Sequence, residues 1–127
     1  ESNEQNAVVI EAFLAAAKRY ASGGYDVIVD GIVGPWFLEP WRAIVREGYE
    51  VHYIVLRASK EETMQRAVER SKLDRKTNVA LVETMWEQFC RLGIYESNVI
   101  ETTSQSVQET VCAVKEKIAS GTALLSD

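Results

Sequence analysis

The chain has 127 residues, of which 46% are apolar and 26% charged, the balance of one soluble globular domain. Its net charge of −5 argues against a protein that binds nucleic acid or an anionic membrane over a wide surface, because such surfaces require clustered lysine and arginine. No apolar run approaches the roughly 20 residues that cross a bilayer, and two cysteines without metal-ligand spacing favour reduced thiols and a cytoplasmic location.

The N-terminal segment predicts an amphipathic helix followed by a strand. Val9, Phe13 and Tyr20 recur at helical spacing, and Ser22, Gly23 and Gly24 end the pattern. The next run, "DVIVDG" at 26–31, is rich in β-branched residues and does not alternate. Such a run is typical of a strand that is buried on both faces, as in a parallel sheet.

The middle of the chain predicts a short helix, a second strand and a longer helix. Pro40 suits a helix's first turn, and Gly48 ends that helix. "VHYIVLR" at 51–57 is another continuous apolar strand, and "SKEE" at 59–62 has the spacing of a capping box. A polar, basic segment at 70–78 then interrupts the helical pattern.

The C-terminal part predicts a helix, a strand and a last helix. The first helix carries Trp86 and Phe89, "NVIETT" at 98–103 is the third strand, and "SVQE" at 106–109 is a second capping box. Residues 122–127 predict a loose tail. The order α-β-α-β-α-α-β-α predicts the α/β class, with a parallel sheet that has helices on both faces.

An acidic residue stands where the first predicted strand ends. Because ligands of parallel α/β sheets lie outside the carboxyl ends of the strands, Asp30 is a candidate to hold magnesium or to orient a hydroxyl. Gly31 would allow close approach of a ligand, and Trp36 and Phe37 would wall an organic substrate. Alternatively, Asp30 caps a turn and the two rings complete the core.

A second candidate site lies in the basic segment. Arg66 and Arg70 share a helix face, and Arg75 follows them, so together they could close over a phosphate-bearing ligand. Alternatively, Glu62 and Arg66 pair along a solvated helix face. Thr102 and Thr103 could contact a nucleotide base, or could form the turn before the last helix.

Several phrases of the sequence resemble a known family. They are "VDGIVGPW", "YIVLRAS" with the arginines that follow, "MWEQF" and "NVIETT". Over residues 4–118 the chain resembles small P-loop kinase-like proteins of the AAA_33 and chloramphenicol phosphotransferase-like kind, relatives of gluconate and shikimate kinases. The resemblance implies a nucleotide-binding fold that transfers the γ-phosphoryl group of ATP, with Mg²⁺, to a hydroxyl of a small molecule.

The resemblance also implies roles for particular residues. Asp30 matches the acid that ends the family's third strand, near the metal and the phosphates. Gly31, Gly34 and Trp36 match the loop beside the acceptor pocket, which Phe37 adjoins.

For the nucleotide side, the resemblance implies a lid and a base-binding loop. Arg66 and Arg70 match arginines that lead into the lid, about 70–78, and Arg75 lies within it. Thr102 and Thr103 match the loop beside the adenine.

The sequence departs from the family in its N-terminal part. It contains no G-x-x-x-x-G-K-[ST], and no lysine follows a glycine. In the family's strand order, 2-3-1-4-5, the absent first strand lies between those at 26–30 and 51–57. We expect the fold to lack its first two strands, residues 1–121 to form one kinase-like domain, and the chain to belong to a longer polypeptide. Alternatively, the neighbouring strands pair directly, or a second chain fills the gap.

Two functions from different classes follow. One is an ATP- and Mg²⁺-dependent phosphotransferase acting on a small-molecule hydroxyl, inactive in these 127 residues alone. The other is a non-catalytic kinase-like module that binds a nucleotide or a partner, including a second copy. The acidic balance disfavours a third reading, a polynucleotide 5′-kinase.

Overall fold

The computed structural model describes residues 2–74 and 78–126 of the chain. Contacts divide it into two compact units, here called the N-terminal unit (1–51 with 125–127) and the C-terminal unit (52–124). The helices and strands, in chain order, are α1 (Ser2–Ser22), α2 (Glu39–Arg46), β1 (Val55–Arg57), α3 (Lys60–Asp74), α4 (Val79–Phe89), β2 (Val99–Glu101) and α5 (Val107–Ser120).

The N-terminal unit is built on α1 and α2. The predicted stop after α1 is confirmed, and Pro40 occupies the first turn of α2, where its missing N–H leaves no helical hydrogen bond unmade. Lys18 of α1 lies 3.4 Å from Glu47, next to the end of α2. The buried apolar side chains of this unit are Leu14, Leu38, Ile44 and Leu125.

The predicted strand at 26–30 is wrong. In the part of the chain that the structure describes, residues 26–32 belong to no strand and make no backbone hydrogen bond. Ile28, at the centre of the run, is 93% exposed. A strand requires a neighbour for its N–H and C=O groups, and here no neighbouring strand supplies one.

The other two predicted strands form a parallel pair in the C-terminal unit. β1 pairs with β2 in the register Val55↔Val99, Leu56↔Ile100 and Arg57↔Glu101, so both strands end at the same edge. Each is shorter than the apolar run that predicted it. The α/β class and the parallel pairing are confirmed, in a helix-rich chain with a small sheet.

The core of the C-terminal unit surrounds this sheet. Its buried side chains include Val55, Ile100, Ala67 and Leu92. Buried Asn98 donates from Nδ2 to the Tyr53 carbonyl oxygen at 2.9 Å, which satisfies a polar group that water does not reach.

Residues 122–126, predicted as a loose tail, are held in place. The Tyr53 N–H donates to the Ala123 carbonyl at 2.9 Å, and His52 and Leu124 form an antiparallel bridge. Ala123 is fully buried. The Leu125 N–H donates to Val51 within the N-terminal unit at 2.7 Å.

Helix ends in the C-terminal unit follow their capping signals. The capping box at 106–109 is present, and Gly121 ends α5 in the left-handed conformation. Asn78 caps α4 through its side chain, a cap that the sequence reading missed. α3 continues to Asp74, so the predicted basic interruption at 70–78 begins inside a helix. Among the described helices, none combines the length and apolarity that a membrane span requires.

Candidate functional site

The carboxyl ends of β1 and β2 lie side by side at one edge of the C-terminal unit. Arg57 and Glu101 lie opposite each other at these ends, and the chain leaves them toward α3 and toward Thr102–Thr103. The Thr102 N–H donates to the Arg57 carbonyl at 2.8 Å, extending the ladder one residue past β2. In parallel sheets this edge is where ligands bind.

Hydrogen bonds hold the loop after β2 against the start of α3. The Ser59 N–H donates to Thr103 Oγ1 at 2.8 Å, and the Ser104 N–H donates to Glu62 Oε2 at 3.2 Å. Ser104 has a positive φ of 61°, the left-handed conformation that non-glycine residues adopt mainly in turns. Ser59 Oγ in turn accepts from the Glu62 N–H at 3.2 Å, so one half of the predicted capping box is present.

The Glu62 carboxylate links two of the predicted nucleotide-binding regions. Besides accepting from Ser104, it accepts from Arg66 Nη2 at 2.5 Å, the i,i+4 pair that the sequence offered as the alternative role of Arg66. The structure therefore brings Arg66, Thr102 and Thr103 to one end of α3. The Arg66 side chain remains half exposed despite this pair.

Lys60 and Trp86 join α3 to α4 at the same edge, a contact that the sequence reading did not anticipate. The Trp86 Nε1–H donates to the Ala58 carbonyl at 3.0 Å, and Lys60 Nζ lies 5.9 Å from the centroid of the Trp86 ring. Lys60 also pairs with Glu83 at 3.1 Å and Glu87 at 3.3 Å. The hydrogen bonds that Lys60 donates to Glu83 and Glu87 raise its pKa.

Arg57 is the most connected side chain of this edge, and the sequence reading missed it. It donates to Glu96 through both Nη1 and Nη2 at 2.9 Å, and to Glu101 through Nε at 2.9 Å. Its Nη1 also donates to the Phe89 carbonyl at the end of α4, at 2.9 Å. A signal was available: like Asp30, Arg57 is a charged residue that ends an apolar run.

Pairing between Arg57 and its two glutamates shifts pKa values in the direction that favours the charged forms. The hydrogen bond from Arg57, helped by the Leu92 backbone N–H, lowers the pKa of Glu96 to about 2. Glu96 and then Glu101 raise the pKa of Arg57 further above its already high value.

The other predicted arginines are less constrained. Arg70 is exposed near the end of α3, and within the described ranges it makes no hydrogen bond or ion pair. Arg75 lies outside the described residues. Their proposed closure over a ligand stays a prediction.

The predicted acceptor side lies in the N-terminal unit. Asp30 and Gly31 are exposed, and Asp30 lines a groove of about 200 Å³. One wall of the groove is α1, through Phe13 and Tyr20, and the other is the unpaired run at 27–30. The groove is therefore mainly apolar, with one carboxylate at its end.

Gly34 and Trp36 pack against each other in the loop before α2. Gly34 is buried, and a side chain there would collide with the indole ring of Trp36. Trp36 is 54% exposed, and its ring centroid lies 6.2 Å from that of Phe37. The two rings thus present an open apolar surface and are not core residues. Asp30, Gly31, Gly34, Trp36 and Phe37 all lie in the N-terminal unit, whereas Arg66, Arg70, Thr102 and Thr103 lie in the C-terminal unit.

Asp30 is the residue that the sequence predicted as a magnesium ligand. In the ranges 2–74 and 78–126, no group of three His, Cys, Asp or Glu side chains has the arrangement of a metal site. A single exposed carboxylate such as Asp30 suits a Mg²⁺ ion held mainly by phosphate oxygens and water, and does not suit an all-protein cage.

Comparison with known proteins gives one family. A family model described as chloramphenicol phosphotransferase-like protein matches residues 1–119. A search of curated proteins found no match to the chain.

Proposed function

Because the chain belongs to the family of chloramphenicol phosphotransferase-like proteins, a P-loop kinase-like family, we propose that it works as an ATP-dependent kinase acting on a hydroxyl of a small molecule. The observation that carries the proposal is the family match over residues 1–119. The parallel strand ends, with Thr102 hydrogen-bonded to Arg57 of β1 and Thr103 to Ser59 before α3, support it.

The reaction is an in-line phosphoryl transfer. The acceptor hydroxyl oxygen forms a bond to the γ-phosphorus, the bond to the β–γ bridging oxygen breaks, ADP leaves and the hydroxyl proton is released. Bound Mg²⁺ would neutralise charge on the phosphate oxygens, and Asp30 is the residue assigned to hold it. Arg70 and Arg75 would neutralise charge on the transferred group, a role that contributes about 10³-fold or more in other phosphotransferases.

The acceptor is assigned to the N-terminal unit. Gly31, Gly34, Trp36 and Phe37 offer backbone access and an exposed pair of rings, which suits a ring-containing hydroxyl compound. Arg66, Thr102 and Thr103 are assigned to ATP. The 127 residues contain no G-x-x-x-x-G-K-[ST], so we expect no turnover from them alone.

The role of Asp30 is tested in the full-length gene product by Asp30→Asn. We expect turnover to fall by at least about tenfold with little change in melting temperature, because the side chain is exposed and contributes few contacts. Asp26→Asn is the matched control, since it removes a carboxylate from the other end of the same run. Equal turnover in Asp30→Asn and wild type would remove Asp30 from the site.

The lid assignment is tested by Arg70→Ala and Arg75→Ala, with Arg91→Ala as an exposed control. We expect the KM for ATP to rise in both lid variants, because each removes a cation assigned to the phosphates. Unchanged ATP kinetics would leave Arg70 as a solvated helix residue.

A second function, a non-catalytic module, is favoured by the absence of a phosphate-loop motif from the sequence. Its binding partner would be a nucleotide, a second copy or an N-terminal segment. A thermal-shift screen of the full-length gene product with ATP, Mg²⁺ and small hydroxyl compounds separates the two, because a ligand that binds the folded state raises its stability. Stabilisation by ATP without product formation would favour the module.

A further inference from the structure

Arg57, at the end of β1, contacts three points at 89–101, all more than 30 residues further along the chain. Its side chain is 13% exposed and contacts the end of α4 at Phe89, the turn at Glu96 and the end of β2 at Glu101. Its own carbonyl accepts the Thr102 N–H at 2.8 Å. The side chain therefore holds the end of β2 from which the loop continues, and the backbone of the same residue holds the first residue of the loop.

The geometry requires a guanidinium group. Two parallel N–H groups engage Glu96, while Nε and Nη2 engage Glu101 at 2.9 and 2.5 Å. A lysine ammonium keeps the charge but is a point donor and cannot hold two carboxylates and a carbonyl in this fixed fork. Without Arg57, Glu96 and Glu101 would also lose the cation that they share.

We propose that Arg57 is a positioning residue for nucleotide binding, which fixes the Thr102–Thr103 loop against Ser59 and α3 without touching the nucleotide itself. The proposal rests on the proposed function, because it assigns that loop to ATP. The proposal adds Arg57 to the residues needed for ATP binding, without giving it a direct role in phosphoryl transfer. Its loss loosens the loop and weakens ATP binding, while the chemical step on bound ATP is kept.

The binding test uses Arg57→Lys in the full-length gene product, with ATP and Mg²⁺ titrated by calorimetry. We expect the Kd for ATP to rise about tenfold or more, the loss expected for hydrogen bonds that involve charged groups. In steady-state ATP hydrolysis, KM should rise by a similar factor while kcat changes less than about twofold. Arg46→Lys is the matched control, since Arg46 forms an exposed pair with Glu39 on α2.

A second variant covers the case in which Arg57→Lys does not fold. Glu101→Gln leaves the fork to Glu96 in place and weakens the link to β2, so we expect a smaller rise in the Kd for ATP. An unchanged Kd for ATP in whichever variants fold would overturn the positioning role. A fall in kcat by as large a factor as the rise in KM would overturn it as well.

Amide hydrogen exchange separates this proposal from the proposed function. Loosening of the loop predicts faster exchange of the Thr102 and Ser104 amides in Arg57→Lys without any nucleotide present, while the α5 amides stay as in wild type. Unchanged exchange at those two amides would overturn the positioning role whether or not ATP binds. Failure of the wild type to bind ATP, with faster exchange in the variant, would contradict the proposed function and the link to ATP, while Arg57 would still be shown to hold the loop.

Discussion

Two β-branched runs of this chain, at 27–29 in the N-terminal unit and Val99–Glu101 in the C-terminal unit, look alike in sequence and differ in structure. The second pairs in parallel with β1 and buries Ile100, whereas the first has no backbone partner among the described residues and leaves Ile28 exposed. The difference teaches that a β-rich composition is not sufficient for strand formation. A segment also needs a neighbouring segment whose N–H and C=O groups pair with its own.

The largest expected contrast comes from truncating the isoleucine at the centre of each run. Ile100 is 6% exposed, so Ile100→Ala should lower the free energy of unfolding by about 2–5 kcal/mol through lost burial and a cavity. Ile28→Ala should change it by less than about 0.5 kcal/mol, because the side chain is already in water. Urea unfolding of both variants measures the two values.

Equal losses in the free energy of unfolding for Ile28→Ala and Ile100→Ala would contradict the contrast between the two runs. They would mean that the run at 27–29 is covered in solution, by another segment or a second copy. Sedimentation of the wild type would then show whether a second copy covers it.

A smaller contrast concerns the residue that precedes each run. Asn98 is buried and donates to the Tyr53 carbonyl, so Asn98→Ala should cost about 1–3 kcal/mol by leaving that carbonyl without its donor. Asp26, before the other run, is exposed and makes no hydrogen bond within the described ranges, so Asp26→Ala should change stability by less than about 0.5 kcal/mol. Thermal unfolding followed by circular dichroism measures both, and a cost at Asp26 as large as at Asn98 would contradict this assignment.

Local signals in the sequence were enough to predict much of the fold. The capping box at 106–109 and Pro40 in the first turn of α2 are each decided within a few residues, and both are confirmed. The parallel pairing followed from continuous apolar runs separated by helices, because parallel strands need a long crossover connection, which is usually a helix.

The sequence alone did not show which distant segments pack against each helix or strand. The run at 26–30 reads as a doubly buried strand, yet burial depends on elements distant in sequence. The same holds for α5, where Val107, Val111 and Ile118 fall at helical spacing and are nevertheless exposed.

The candidate site shows the same limit. Thr102 and Thr103 were predicted from their place after a strand, and the hydrogen bond to Ser59 agrees with that place. Arg57 was missed because its importance depends on Phe89, Glu96 and Glu101, which only the fold brings together.

The smallest expected effect is a pH dependence that belongs to the C-terminal unit. The pKa of Glu96 falls from an ordinary 4.5 to about 2 because Arg57 donates to its carboxylate. A carboxylate whose pKa is lower in the folded state binds fewer protons than in the unfolded state, so its stabilisation is present above about pH 5 and is lost as the pH falls toward 2.

Glu96→Gln should therefore flatten the fall in the free energy of unfolding across this range. Urea titrations at several pH values measure the slope, with Glu39→Gln as the control for net charge. A slope in Glu96→Gln as steep as in the wild type would mean that the pair with Arg57 does not hold this part of the chain together, and the strand ends would then depend on backbone pairing alone.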